Sequence, residues 1–162
     1  MDTPKFTLVN DVTLDDMEII VMAITHKADK NPTPLFRHRK SVQDLAQQMW
    51  KMQKLGTLAV FADEQGKYAG ILACNVVELW WIDGPVLVED LVASIDTKPN
   101  GFGRFAVQLL EDIARDNECV MICSGSSMVQ DTPIVRNMYK KHGFVVYGES
   151  YLKELNQMIL FT

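Results

Sequence analysis

The sequence predicts an α/β domain built on a mixed, mostly antiparallel central sheet of about seven strands flanked by about four helices, in the order β-α-α-β-β-β-α-β-α-β-β. Three observations carry this. Apolar residues recur at helical spacing in some segments and alternate or run continuously in others. Three β-rich segments follow one another with only turn residues between them, the pattern of antiparallel hairpins. Helical and strand-like segments then alternate to the end of the chain, with no repeat or linker to divide it.

The elements follow in order. Residues 6–10 alternate as a short strand, and Thr13 places a capping hydroxyl three residues before Asp16, opening an apolar-periodic helix to about His26. After a loop containing Asn31-Pro-Thr-Pro34, Ser41 caps a second helix with Val42, Leu45, Met49 and Met52 on one face, stopped by Gly56. Residues 57–62 and 68–82 are β-rich and joined by Asp63-Glu-Gln-Gly-Lys67. Asp83-Gly84-Pro85 breaks the run, and 86–95 forms the next strand. From Gly101 to about Asn117, Phe102, Phe105, Ala106, Leu109, Leu110 and Ile113 mark a helix with a buried face. Residues 119–123 are an all-apolar strand, covered on both faces. Thr132-Pro133 starts a last helix that runs to His142 and stops at Gly143, and 144–155 and 157–161 close the chain as two strands.

Composition narrows the function. At 162 residues, 48% hydrophobic and 23% charged, the chain is an ordinary folded protein able to bury a core without disulfides or a structural metal. The first ten residues hold no apolar run of signal-peptide length, and no window has the roughly 18 apolar residues of a membrane span, so a cytoplasmic protein without membrane contacts is expected. Three cysteines give no disulfide framework, and Cys119 and Cys123 have no histidine near them that would suggest a metal site. A net charge of −5 argues against a nucleic-acid surface and favours a cationic partner. The one basic stretch, 26–40, reads as a solvated loop.

Lys98-Pro-Asn-Gly101-Phe-Gly103 precedes the amphipathic helix. A glycine-rich turn at a helix N-terminus offers free backbone N–H groups and the positive end of the helix dipole, and without side chains an anion can come close. That is a phosphate site. Gly101-Phe-Gly103-Arg-Phe-Ala106 also fits a loose dinucleotide fingerprint, but no acidic residue follows the next strand to hold a ribose, and further parallel units have no room. The Gly-x-x-x-x-Gly-Lys pattern is absent.

The loop resembles that of the GNAT acyltransferases, which reads Arg or Gln, two residues, Gly, one residue, Gly or Ala; Lys98 stands at the Arg/Gln position. Met138-Tyr-Lys-Lys-His-Gly-Phe144 resembles the family's Phe/Leu-Tyr-x-x-x-Gly-Phe signature, and Val88-Glu-Asp-Leu-Val92 is similar to the polyamine acetyltransferase branch, where a Glu-Asp pair stands the same distance before the loop. The likeness covers roughly residues 57–162; the first third matches only in its β-α-α pattern. Thr132 departs from the family, which commonly has an Asn there.

This resemblance implies one domain over 1–162, with an acceptor-side segment at about 13–54 and a coenzyme core at about 57–145. It implies acetyl-CoA as cosubstrate, no metal, and an amine acceptor, with a homodimer left open. The coenzyme would lie along Leu91, Val92, Ala93 and Ser94 like an added strand, against the loop residues Lys98, Asn100, Gly101, Phe102, Gly103 and Arg104, and near Thr132. Tyr139 would donate to the coenzyme sulfur. Amine acylation also needs a base. Glu89, mid-strand in an apolar setting, is the first candidate, since desolvation favours the protonated form of a carboxyl; Asp90, expected on the opposite side of the strand, is the second. Trp50, Trp80 and Trp81 read as packing residues. The alternative on the same fold is an acyl-CoA sensor without turnover, and a more distant one is an unrelated binding domain whose glycine loop only turns the chain.

Overall fold

A computed structural model describes residues 5–125, 132–148 and 153. The chain falls into two compact units, Met1–Asp131 and Thr132–Thr162. The first contains β1 (Thr7–Val9), α1 (Leu14–Ala28), α2 (Pro34–Arg37), α3 (Val42–Lys54), β2 (Leu58–Ala62), β3 (Tyr68–Glu78), β4 (Pro85–Ser94), α4 (Phe102–Asp116) and β5 (Met121–Cys123). The second contains α5 (Pro133–Lys141). No helix among the described residues is long and apolar enough to cross a membrane.

The strands form one sheet in the order β1-β2-β3-β4-β5, antiparallel through β4 and parallel between β4 and β5. One face is covered by α1 and α3, where Met17, Ile20, Val21, Ile24, Ala46 and Met49 pack on Leu58, Val60, Ile71 and Ala73. The other is covered by α4 through Phe102, Ala106, Leu110 and Ala114, which meet Phe61, Leu72 and Leu87. The apolar spacing that predicts these helices therefore also names the faces they bury.

Local signals set the helix starts. Thr13 and Asp16 form a reciprocal capping box, and the Tyr68 hydroxyl donates to Asp16 Oδ2 at 3.1 Å, tying α1 to β3. The bond with Thr13, and then that with Tyr68, holds the Asp16 carboxyl below its ordinary value. A depressed carboxylate adds stability above its unfolded pKa and loses it as pH falls through the folded one. Asp16→Asn is accordingly expected to be less stable than wild type near neutral pH, with the gap closing below about pH 4; paired thermal melts at the two pH values check this.

Phe102 is the centre of the second core. Fully buried, it meets the Phe6 ring edge to face and the Phe61 and Phe105 rings at a tilt, and its ring lies so close to Gly70 of β3 that a Cβ there would stand 2.2 Å from Phe102 Cδ1. A glycine inside a strand is explained by that close approach. Gly70→Ala is expected to cost about 1–3 kcal/mol, the usual penalty for overpacking, read from a denaturant melt. It should also disturb the start of α4.

The architecture departs from expectation in several places. Five strands and five helices are present among the described residues, against about seven and about four expected. The additional helix is α2, four residues capped by Thr33 and begun by Pro34, too short to leave an apolar period in the sequence. Residues 79–84 form the β3–β4 turn instead of extending the strand, and Trp80, 92% exposed, and Trp81 pack edge to face upon each other there. Trp50 does pack against the α1–α3 core, its indole N–H donating to Val12 O at 3.0 Å. Residues 144–148, the first part of an expected strand, have no regular structure; Val145, Val146 and Tyr147 are exposed and pair with no described strand. The rest of that expected strand, apart from Lys153, and all of 157–161 lie outside the described residues.

Candidate active site

β4 and β5 pair over only part of β4. Their parallel ladder runs Val86↔Met121, Leu87↔Ile122, Val88↔Cys123 and stops there. Beyond it, Leu91, Val92, Ala93 and Ser94 pair with β3 on one side and with no described strand on the other. An unpaired strand edge presents N–H and C=O groups that an extended ligand can engage as a neighbouring strand would.

Next to the end of this ladder β4 carries a bulge. Glu89 pairs with Cys74 and Leu91 with Ala73, so Asp90 is an extra residue without a register partner. The bulge resets the alternation: Leu87 and Val92, an odd number of residues apart, both pack on the α4 side. Simple alternation could not reveal it. Glu89 is buried at 9% exposure, and the Ser124 hydroxyl, just past β5, donates to its Oε2 across the end of the ladder. Asp90 is exposed and accepts from Asn75 Nδ2. Opposite Glu89, burial and then the Asp90 and Glu89 charges push the Cys74 thiol above its ordinary value, which keeps it protonated. Ser124, Cys74 and Asn75 had no sequence signal, because only the fold brings the first two to Glu89 and the third to Asp90.

At the far end of β4 stands the glycine loop. Gly101 caps α4 in the left-handed region at φ +81°, a conformation that glycine adopts without strain. The first turn-spanning bond of α4 is Phe105 N–H to Gly101 O at 3.2 Å, so the N–H groups of Phe102, Gly103 and Arg104 have no acceptor within the helix. Asn100 Oδ1 accepts from Phe102 N–H at 3.0 Å, which leaves the Gly103 and Arg104 amides for an anion at the positive end of the helix dipole. The predicted loop residues thus divide by role. Gly101 sets the left-handed turn into α4, Gly103 and Arg104 carry the amides without a helical acceptor, Phe102 anchors the start of the helix in the core, and the side chains of Asn100 and Ser94 hold the turn. Lys98 is exposed.

In the second unit, Thr132 caps α5 by accepting from Val135 N–H at 3.4 Å, with Pro133 following. The C-terminus closes with Gly143 N–H on Lys140 O and Phe144 N–H on Tyr139 O, each 3.1 Å, while the Tyr139 and Phe144 rings meet at 5.2 Å. This is the Schellman arrangement with its hydrophobic contact. It gives the Tyr-x-x-x-Gly-Phe signature a folding role beside any chemical one.

The fold as a whole has counterparts among solved structures. A probable acetyltransferase superposes with a TM-score of 0.66 at 11% identity, covering 94% of this chain and 99% of its own. The chain has the GNAT acetyltransferase fold. A predicted acetyltransferase from Clostridium acetobutylicum, solved with acetyl-CoA, gives 0.63 at 16% identity over 94% and 95% of the two chains. Ribosomal-protein-alanine N-acetyltransferase from Brucella melitensis biovar Abortus 2308 gives 0.63 at 13% identity over 93% and 99%. No family model matches the sequence. The polyamine branch suggested by 88–92 gains no support from these GNAT-fold relatives.

Proposed function

We propose that the chain is an N-acetyltransferase that passes an acetyl group directly from acetyl-CoA to a primary amine of a small molecule or protein. The observation that carries this is the sequence of a β4 edge at 91–94 that pairs with no other described strand and a glycine-capped helix start just beyond it. An acyl-pantetheine arm needs an extended backbone partner, and a pyrophosphate needs convergent amides. Residues 91–94 and Gly103–Arg104 offer these in that order along the chain. The fold shared with an acetyltransferase solved with acetyl-CoA supports the same ligand.

The chemistry assigns a role to each group. As the amine nitrogen attacks the thioester carbonyl, a C–N bond forms, the C–S bond breaks and the nitrogen must lose a proton. Glu89, held by Ser124 at the end of the β4–β5 ladder, is the base, directly or through water. Backbone N–H groups of the bulged β4 stabilise the developing oxyanion, and the Tyr139 hydroxyl supplies the proton to the departing thiolate.

Glu89→Gln keeps the side-chain shape and removes the base. Turnover with an amine acceptor is expected to fall about 10²- to 10⁴-fold, with acetyl-CoA affinity near wild type and the rise of rate with pH flattened. Steady-state rates across pH, beside calorimetric titration, test this; a wild-type rate and profile would remove Glu89 from the mechanism.

A further inference from the structure

We propose that Asn100 and Asp96 are positioning residues for the coenzyme pyrophosphate, with Lys67 fixing Asp96 from the neighbouring turn; this rests on the coenzyme assignment above. A carboxamide has two N–H donors and an oxygen with two lone pairs. Asn100 uses all four. Its Nδ2 donates to Ala69 O at 3.1 Å and to Asp96 Oδ2 at 3.0 Å, and its Oδ1 accepts from the Ser94 hydroxyl at 3.1 Å and from Phe102 N–H at 3.0 Å. One side chain therefore joins β3, the end of β4, the following turn and the first residue of α4.

Asp96 is held in turn. Lys67 Nζ contacts its Oδ1 at 2.6 Å, and Lys27 of α1 donates to its main-chain oxygen at 3.0 Å and to that of Ser94 at 3.3 Å. The Lys67 contact, first among its causes, draws the Asp96 carboxyl below its ordinary value, and the same contact raises Lys67. Two consequences follow for the loop. Its backbone is ordered before any ligand arrives, so binding does not spend free energy on ordering it. The Asp96 charge, which would repel an anion at the adjacent amides, is offset by Lys67.

The arrangement also decides which amides are available. Phe102 N–H is already bonded to Asn100, so the anion falls to Gly103 and Arg104.

The test is calorimetric titration of folded wild type, Asn100→Ala and Lys67→Met with acetyl-CoA, alongside backbone amide resonances of Phe102, Gly103 and Arg104. In wild type, acetyl-CoA should shift Gly103 and Arg104 and leave Phe102 in place. Asn100→Ala should bind at least about tenfold more weakly, with the Phe102 amide losing its exchange protection while the rest of α4 keeps it. Lys67→Met alters a solvent-exposed side chain, so it serves if Asn100→Ala does not fold; about three- to tenfold weaker binding is expected, with a reduced dependence on salt. Wild-type affinity in folded Asn100→Ala or in Lys67→Met, or a wild-type Phe102 amide that moves with its neighbours, would overturn the proposal alone. Failure of wild type to bind acetyl-CoA would overturn the coenzyme assignment and this proposal with it.

Discussion

Tyr139→Phe is expected to lower turnover about 10²- to 10⁴-fold at saturating acetyl-CoA, the contribution of a positioned proton donor, while leaving acetyl-CoA affinity and the melting temperature near wild type. The structure makes this substitution a clean one. Tyr139 holds the end of α5 through its main-chain oxygen and its ring against Phe144, and phenylalanine retains both. If the motif served folding alone, the variant would keep its activity and at most lose about 0.5–1.5 kcal/mol for a hydroxyl hydrogen bond. Rate and stability therefore separate the two roles, with steady-state turnover and a melting curve measured on the same preparation.

Gly103→Val is expected to weaken acetyl-CoA binding by at least about tenfold, because a branched side chain at the second residue of α4 obstructs the amides that receive the pyrophosphate. The cost to folding should stay small, since valine has a higher helix propensity than glycine. Gly101→Val is a poorer probe of the same idea. At φ +81° any β-branched residue is strained, so lost binding there would mix with lost stability. Calorimetry on folded Gly103→Val checks the prediction, and unchanged affinity would remove the loop from the coenzyme site.

Much of the framework was legible in the sequence because it is written in short-range patterns. Thr13, Ser41 and Thr132 each cap the helix they announce, and the apolar periods of α1, α3 and α4 match the faces that they bury. The hairpin turn at 63–67 is likewise local, with Asp63 Oδ1 accepting from Gln65 and Lys67 N–H groups. The glycine loop could be placed at the start of α4 for the same reason.

What escaped depends on partners distant in sequence. The bulge at Asp90 exists only as a mismatch between β3 and β4, so counting along β4 alone cannot find it. Asn100 reads as a ligand-facing loop residue until Ala69, 31 positions away, is seen to accept from it. Phe102 reads as a loop contact until Gly70 is found beneath its ring. Ser124 follows a short apolar strand with nothing to single it out, and its value lies in the Glu89 carboxylate across the gap. Trp80 and Trp81, read as packing residues, stand on an exposed turn because the β3–β4 hairpin bends earlier than the apolar run suggests.

The most direct measurement of the central claim is release of free CoA thiol from acetyl-CoA by the purified protein, across a panel of small amines, peptides and proteins, with the acetylated product identified by mass spectrometry. The account predicts that thiol appears with at least one amine acceptor, in equal amount to an N-acetylated product, and that Glu89→Gln and Tyr139→Phe suppress both together. Folded wild-type protein that binds no acetyl-CoA and releases no thiol with any amine would contradict it.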